Sequence, residues 1–338
     1  MKFSIFLPVR NGGEHFRQCV VSILEQTYRE FQLVILDNAS LDGSPEWISS
    51  LDESRVKVLT SDTMLSIQDS WKRIQHAQKC EFMTIIGHDD LLDRNYLDAM
   101  RMLIEKHPGA GLYQTHFRLI DSEGHLLRPS RAMPEQETPE EFLESRLRFQ
   151  RDSYGTGYMC RSSDYERVGG IPGYEKLLFA DDALWMKLMI GSWKATAKDE
   201  LFSYRVHAGS TSFLPDSDSL YDGLDSYVAF LQEVCIQNAR IADVVKRLLP
   251  TYLITIYRWR FFPLRKNTEK YRLEGEALRN RIQLSASKVS QFLSTLDAKA
   301  GENFPELVRR EVFSAKAYYS WYLRGRLGAW KRNLVGVD

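Results

Sequence analysis

The chain predicts an α/β fold: a mixed, mainly parallel sheet flanked by helices, with a helical C-terminal extension. Three observations carry that prediction. Strand and helix patterns alternate through the first hundred residues, as in a βαβ series. Phe31–Leu36 is apolar throughout its later half, the pattern of a strand covered on both faces. After about Asp216 only helical periodicity remains.

Taken in order, Phe3–Leu7 reads as the first strand. Glu14–Gln26 follows as a helix, because Phe16, Cys19, Val20, Ile23 and Leu24 fall on one face. The strand Phe31–Leu36 ends at Asp37-Asn38. Ser44 caps a short helix through Ser49, and Val56–Thr60 is a third strand. Ser66–Ala77 reads as a helix, Phe82–Ile86 as a fourth strand and Arg94–Glu105 as the next helix. Leu112–Arg118 and His125–Arg128 then flank Asp121-Ser122-Glu123-Gly124, a hairpin signal. Arg131–Thr138 is polar and reads as a loop before the helix Pro139–Arg148. Tyr154–Gly157 and Gly169-Gly170 are further loops, Asp181–Ile190 is a helix and Leu201–Val206 a last strand.

Composition narrows the function. With 338 residues, 43% hydrophobic and 27% charged, the chain is ordinary globular material, long enough for one large domain plus an appendage. A net charge of zero argues against nucleic acid as the main partner. That neutrality is unevenly distributed: from Thr251 onward there are 17 Lys/Arg against 8 Asp/Glu, so the first 250 residues carry −9 and the rest +9. Cys19, Cys80, Cys160 and Cys235 are scattered and form no C-x-x-C pair; they read as reduced thiols of a cytoplasmic protein, without zinc-site spacing. Met1-Lys2 leads straight into a strand rather than a signal peptide, and no run reaches the ~18 apolar residues of a membrane span.

The chemistry is concentrated in acids. Phe82–Ile86 runs directly into Gly87-His88-Asp89-Asp90. Two carboxylates at the end of a buried strand repel each other and cost desolvation energy, and the usual offset is a metal ion or a cationic ligand. Asp181-Asp182 is a second acidic pair. Together they point to one site that holds a metal-bound anion and also supplies a base. Ligands of open parallel sheets bind at the carboxyl ends of the strands, where Pro8–Asn11, Asp37-Asn38, Ser61-Asp62 and Gly87–Asp90 should converge. Each acid also has a structural explanation. Asp37 can cap the turn Asn38-Ala39-Ser40, Asp89-Asp90 can precede a helix, and Asp181-Asp182 can open one, where the helix dipole favours acids. Asp42, in an Asp-Gly dipeptide, reads as a turn residue, and His88 as a neutral, hydrogen-bonded histidine.

Six segments in order, from about Lys2 to Phe213, carry a family resemblance. They are Ser4–Gly12 (SIFLPVRNG), Val34–Gly43 (VILDNASLDG), Gly87–Asp90 (GHDD), Val168–Gly170 (VGG), Asp181–Trp185 (DDALW) and Tyr204–Ser210 (YRVHAGS). The chain resembles the inverting family 2 glycosyltransferases of the GT-A fold. That resemblance implies a sugar moved from a nucleotide-diphosphate donor, UDP-linked among the candidates, to an acceptor hydroxyl. It implies base binding by Asp37, with Pro8, Val9 and Asn11 as the pocket wall. Asp89 matches the last acid of the family's D-x-D motif, which touches the nucleotide's metal; its first acid is replaced here by Gly87. The resemblance implies Mn²⁺ or Mg²⁺ held by Asp89, with Asp90 and His207 as further ligands; a packed, satisfied histidine is the other reading of His207. Arg205 could help neutralise phosphate. Aligned on the family's Glu-Asp-x-x-Leu-Trp, Asp181 falls at the catalytic base, with Asp182 as runner-up. One base is sufficient, because a metal-bound diphosphate leaves without a general acid.

The expected organisation is a catalytic domain over 1–215, with a nucleotide-binding half 1–110 and an acceptor half 111–215, and a helical region over 216–338. In that region Tyr257–Phe262 and Tyr318–Arg326 interleave aromatics with arginines. This suits peripheral contact with the inner face of a plasma membrane or a lipid-linked acceptor; a helical cap or subunit contact is the alternative. The family expectation is surface-polysaccharide assembly with a glycan or lipid-linked acceptor. Rival readings are a sugar nucleotidyltransferase, disfavoured because Asn11-Gly12-Gly13-Glu14 offers an acid where a triphosphate needs cations, and a non-catalytic nucleotide-sugar-binding protein.

Overall fold

A computed structural model describes residues 1–207, 216–264 and 268–322. Ala208–Ser210 of the last motif and Leu323–Arg326 of the C-terminal aromatic–arginine segment lie outside the described residues. The chain forms two compact units, Met1–Tyr227 and Val228–Asp338.

The first unit opens with β1 (Phe3–Val9), α1 (Gly13–Leu24), β2 (Phe31–Asp37), α2 (Ser44–Ser49), β3 (Val56–Leu59), α3 (Ile67–His76) and β4 (Phe82–Ile85). It continues with β5 (Leu91–Leu92), α4 (Tyr96–Lys106), β6 (Leu112–Ile120), β7 (Leu126–Pro129), β8 (Gln136–Glu137) and α5 (Pro139–Leu147). Then come β9 (Tyr158–Arg161), α6 (Ser162–Arg167), a 3₁₀ turn (Glu175–Leu177), α7 (Ala180–Met189), β10 (Lys194–Arg205) and α8 (Ser217–Gln237), which runs on into the second unit.

The strands make one sheet in the order β3-β2-β1-β4-β9-β6-β10-β5, with β7 on β6 and β8 on β10. Pairing is parallel from β3 through β4 and between β6 and β10, and antiparallel where β9 joins β4 and β6. Every residue of β1 and β2 is buried, as the apolar run of the second strand required. Five elements differ from the expectation: β8 lies inside the expected loop 131–138, β5, β9 and α6 have no counterpart in it, and β10 begins at Lys194 rather than Leu201.

Pro8 shows how the sheet opens toward the site. The β1–β4 ladder ends at Phe6 paired with Ile85, while β1 stays paired to β2 through Val9. Residues two apart on a strand bond to the same neighbour, so Pro8, which has no N–H, cannot extend the β4 side. The strands part there, and the gap is where the cavity described below begins.

The second unit is helical: the end of α8, then α9 (Ala239–Leu264), α10 (Thr268–Leu296) and α11 (Ala298–Val308), followed by a π-helical turn, Arg309–Phe313. Buried Tyr257, Ile282, Val289, Phe292 and Phe304 form part of its core, and the Tyr257 hydroxyl lies 3.0 Å from Ser285 Oγ. Among the described residues no helix is long and apolar enough to cross a membrane.

Candidate active site

The loops at the carboxyl ends of β1, β2 and β4 are tied together by their own backbone. Asn38 N–H donates to Val9 O (2.9 Å), Ser61 N–H to Asp37 O (3.0 Å) and Ile86 N–H to Phe6 O (3.0 Å). Asn11, at φ +51°, donates its amide to Ser40 Oγ (2.9 Å) and accepts from Leu41 N–H at Oδ1 (2.8 Å). Asp42 accepts from Gly13 N–H (2.8 Å) and Ser44 N–H (3.2 Å), so its role is to join two loops. Asp37 is 3% exposed; Ser40 N–H reaches Oδ2 only at 3.4 Å, and the buried Oδ1 accepts no hydrogen bond among the described residues. A buried carboxylate oxygen without a donor fits the N–H or hydroxyl of a ligand.

A cavity of about 220 Å³ opens beside these loops, walled by Pro8, Trp71, Asp89, Thr156, Lys176, Asp181 and Tyr204, with Gly87, Asp90 and Gly155 also facing it. The GHDD segment forms one wall. Asp89 Oδ2 lies 2.7 Å from His207 Nε2, and both side chains are partly exposed. Asp90 is 1% exposed and turns inward: Oδ1 accepts from Arg205 N–H (3.0 Å) and Oδ2 from the Thr156 hydroxyl (2.8 Å). Burial first, and Asp89 second, push the Asp90 carboxyl well above its ordinary range. Asp90 therefore braces the loop against β10, and with its oxygens so engaged it is a poor metal ligand. Burial holds His88 below its ordinary value, so it is neutral.

Gly87, expected from the resemblance to replace an acid, has no room for a side chain. A Cβ there would lie 2.8 Å from Asp89 Oδ1 and 2.8 Å from Asp90 Oδ2. The two carboxylates fold back over the backbone at that point, and any side chain would displace them. Gly157, at φ +78°, is equally forced: a Cβ would meet the Phe202 ring at 2.7 Å.

Arg205 is 1% exposed, and its guanidinium is spent on the protein: on Asp89 O (2.8 Å), Ser122 O (2.8 Å) and Gln18 Oε1 (3.0 Å). It is a clamp on the Asp89 loop and has no free edge for a phosphate, which corrects the expectation from sequence.

The opposite wall is the start of α7. Burial, and then the Asp182 charge, raise Asp181 to about 7. Asp182 points away from the cavity and receives two bonds from Arg146 of α5, Nε to Oδ1 and Nη2 to Oδ2, both 2.7 Å. Both its oxygens are consumed, so Asp181 is the acid left facing the cavity. The segment before α7 is strained: Lys176, Leu177 and Phe179 sit at φ +50°, +57° and +63° without being glycine. Lys176 pairs with Asp216, which caps α8 through Ser219 N–H (2.8 Å).

The structure thus puts Pro8, Asp89, Asp90 and Asp181 on one cavity and His207 beside Asp89, while Val9, Asn11 and Asp37 lie in the adjoining loop layer. Sequence reading did not single out Thr156, Lys176 or Tyr204, and made no assignment for Trp71 or Arg73. Arg73 donates to Asp37 O (2.9 Å), fixing the loop that carries the unpartnered oxygen. The one usable signal was an aromatic in a polar helix, Ser70-Trp71-Lys72-Arg73. A different group, Asp121, Glu123 and His125, brings ligand-type atoms within 4.8 Å of one another, but it is the β6–β7 turn, whose amides bond to Asp121 Oδ1.

Residues 4–163 match the model described as glycosyl transferase family 2. The chain is similar to glycosyltransferase GlyG of Streptococcus pneumoniae, 23% identical over 125 residues, which is 36% of this chain and 42% of GlyG; it thus spans less than half of that relative. It is 22% identical to the putative glycosyltransferase EpsE of Bacillus subtilis over 216 residues, 63% of this chain and 75% of EpsE. Among solved structures, S. aureus TarS 1-349 in complex with UDP-GlcNAc superposes with a TM-score of 0.69 at 16% identity, covering 90% of each chain, a likeness of fold. With the sheet, the strand-end site and these likenesses in agreement, residues 4–163 belong to glycosyl transferase family 2, carried on a GT-A fold.

Proposed function

We propose that this chain transfers a sugar, with inversion, from a nucleoside-diphosphate donor to an acceptor hydroxyl. The observation that carries the reading is one cavity walled on one side by Asp89, beside His207, and on the other by Asp181, a carboxyl raised to about 7. The unpartnered Asp37 Oδ1 supports a nucleoside seat in the adjoining loops. A base of this pKa is about half ionised near neutral pH and can take the acceptor's proton as the hydroxyl attacks. Asp182, paired with Arg146, holds the α7 start in place and contributes the charge that raises its neighbour.

Asp89 and His207 would hold a divalent cation; a carboxylate oxygen beside an imidazole nitrogen suits Mn²⁺ and is compatible with Mg²⁺. Such an ion, when bound, supplies Lewis-acid stabilisation of the departing diphosphate. Trp71 and Tyr204 line the same cavity, and aromatic residues there suit a sugar or base face. A UDP-linked sugar is the proposed donor, in keeping with the UDP-GlcNAc complex of the TarS structure, and the proposed setting is surface-polysaccharide assembly at a cytoplasmic site.

A thermal-shift panel of UDP-, GDP-, dTDP- and CMP-linked ligands with Mn²⁺ tests the donor class, because a ligand that binds the native state raises the melting temperature. Asp181→Asn should keep the UDP-dependent shift and lose transfer. Wild-type turnover in that variant would remove Asp181 as the base.

A further inference from the structure

The helical unit contains a cavity of about 410 Å³ whose lining differs in kind from the one beside the sheet. Arg258 of α9, Arg310 of the π-turn and Lys316 of the helical run 315–322 converge on it, and among the described residues that line it Glu311 is the one acid. Glu311 is shared: Arg258 Nε donates to its carbonyl (2.8 Å) and the guanidinium also pairs with its carboxylate, which Arg310 Nε approaches at 3.0 Å. Lys316 has no carboxylate partner among the described residues. Three cations against one acid leave the hollow with an excess of positive charge. A rigid fork of guanidinium N–H groups flanked by an ammonium is the donor set that tetrahedral oxyanions attract. The backbone departs from regularity at the same place. Arg310 and Glu311 lie on a five-residue π-helical turn, a rare form that recurs at functional sites. One wall is apolar, formed by Phe262 and Trp321, whose ring centroids are 5.3 Å apart. Residues 323–338 contain Arg324, Arg326, Lys331 and Arg332 against Asp338, so their charge repeats that of the hollow and does not complement it.

We propose that this hollow is a phosphate-binding site, holding a phosphate monoester or diester between Arg310 and Lys316 while the group that carries it rests on Phe262 and Trp321. The proposal does not depend on the chemistry of the first unit. Phosphate could arrive on a soluble molecule or on a lipid headgroup, and two arms separate these sources.

The intact protein is titrated with inorganic phosphate in EDTA, which removes any ion-dependent hold elsewhere, and binding is read from ³¹P line broadening. The wild type should saturate. Arg310→Gln/Lys316→Gln should bind at least about tenfold more weakly, the value of one charge-assisted hydrogen bond. Arg309→Gln is the control, since Arg309 pairs with Glu306 and does not line the hollow; it should bind as wild type does. Unchanged thermal melts of the double variant, whose two positions are exposed, exclude misfolding as the cause. In the second arm, retention on phosphatidylglycerol vesicles but not on phosphatidylcholine vesicles, lost in the double variant, identifies a lipid carrier. Phosphate binding without vesicle retention identifies a soluble one. A wild type that binds neither probe, a double variant that binds both equally well, or an equal loss in Arg309→Gln would overturn the proposal.

Discussion

Asp181 is held in a state that a solvated aspartate would not adopt, and that has consequences for stability as well as turnover. Its ordinary value of 3.8 is raised to about 7, first by burial and then by the Asp182 charge. Between those values the native chain holds a proton that the unfolded chain has released, so stability falls as pH rises from about 4 to 7. Asparagine removes the penalty. Asp181→Asn should therefore melt above the wild type at pH 8, match it at pH 3.5, and transfer sugar at least about 100-fold more slowly. Thermal melts and turnover on the same preparations check both limbs; a variant less stable than wild type at pH 8 would show a carboxylate held by contacts rather than strained by burial. Asp182→Asn acts in the opposite sense. It strips Arg146 of its two-point partner, at a cost of about 3 kcal/mol by denaturant unfolding, and it removes the neighbouring charge. The ionisation of Asp181 in its pH–rate profile should then move to lower pH. At Gly87 the sequence comparison invites a repair, Gly87→Asp, to restore the first acid of D-x-D. The structure predicts a loss instead, because the new Cβ would fall 2.8 Å from two carboxylate oxygens. Mn²⁺-supported nucleotide binding by calorimetry should weaken in that variant; strengthening would refute the steric account.

At the scale of elements, β8 and the head of β10, neither expected from the sequence, are built around buried charge. Glu137 in β8 (1% exposed), Arg151 (5%) and Lys194 at the head of β10 (0%) form one cluster: Arg151 pairs with Glu137, and Lys194 Nζ lies 3.1 Å from Glu137 Oε2 and 3.2 Å from Gln114 Oε1. Burial holds the Lys194 ammonium down to about 8. Glu137→Gln leaves two buried cations without their counter-charge and should cost about 3–5 kcal/mol in urea unfolding at pH 7. The same substitution should matter less above pH 8, where Lys194 sheds its proton more readily than a solvated lysine. This cluster explains why residues 131–138 read as a loop and why the sequence pattern signals β10 only from Leu201. Polar letters at the edge of a strand signal solvent unless their partners, far along the chain, are known. By contrast β1, β2, β4 and α1 were legible, because apolar runs and one-faced spacing report burial directly. In the site, Asp89 is legible as an acid at the end of an apolar strand, and Asp181 as one of a second acidic pair aligned on Leu184-Trp185. Trp71, Thr156, Lys176 and Tyr204 are not, since only the folded loops bring them to the cavity.

For the whole molecule, the expected division at 215/216 is a proposal that α8 makes testable. The compact division falls after Tyr227, inside that helix. Its first turns belong to the first unit: Tyr221, Leu224 and Tyr227 are buried, Tyr227 stacks on Phe179 with centroids 5.8 Å apart, and a Cβ at Gly223 would stand 2.8 Å from Leu178 O. Leu178 and Phe179 are cavity wall, immediately before Asp181, and Phe179 is in a left-handed conformation that needs outside support. A chain ended at 215 loses Asp216, the partner of Lys176, and three apolar anchors at roughly 1.5–3 kcal/mol each, against a total stability of about 5–15 kcal/mol. A chain ended at 237 keeps all of them. The expected result is that residues 1–237 unfold cooperatively and bind the same nucleotide as the full chain, whereas residues 1–215 melt much lower or aggregate. If 1–215 binds nucleotide with full-length affinity and melts alongside 1–237, the first turns of α8 do not support the cavity wall, and the strained 176–179 segment is held by the sheet side alone.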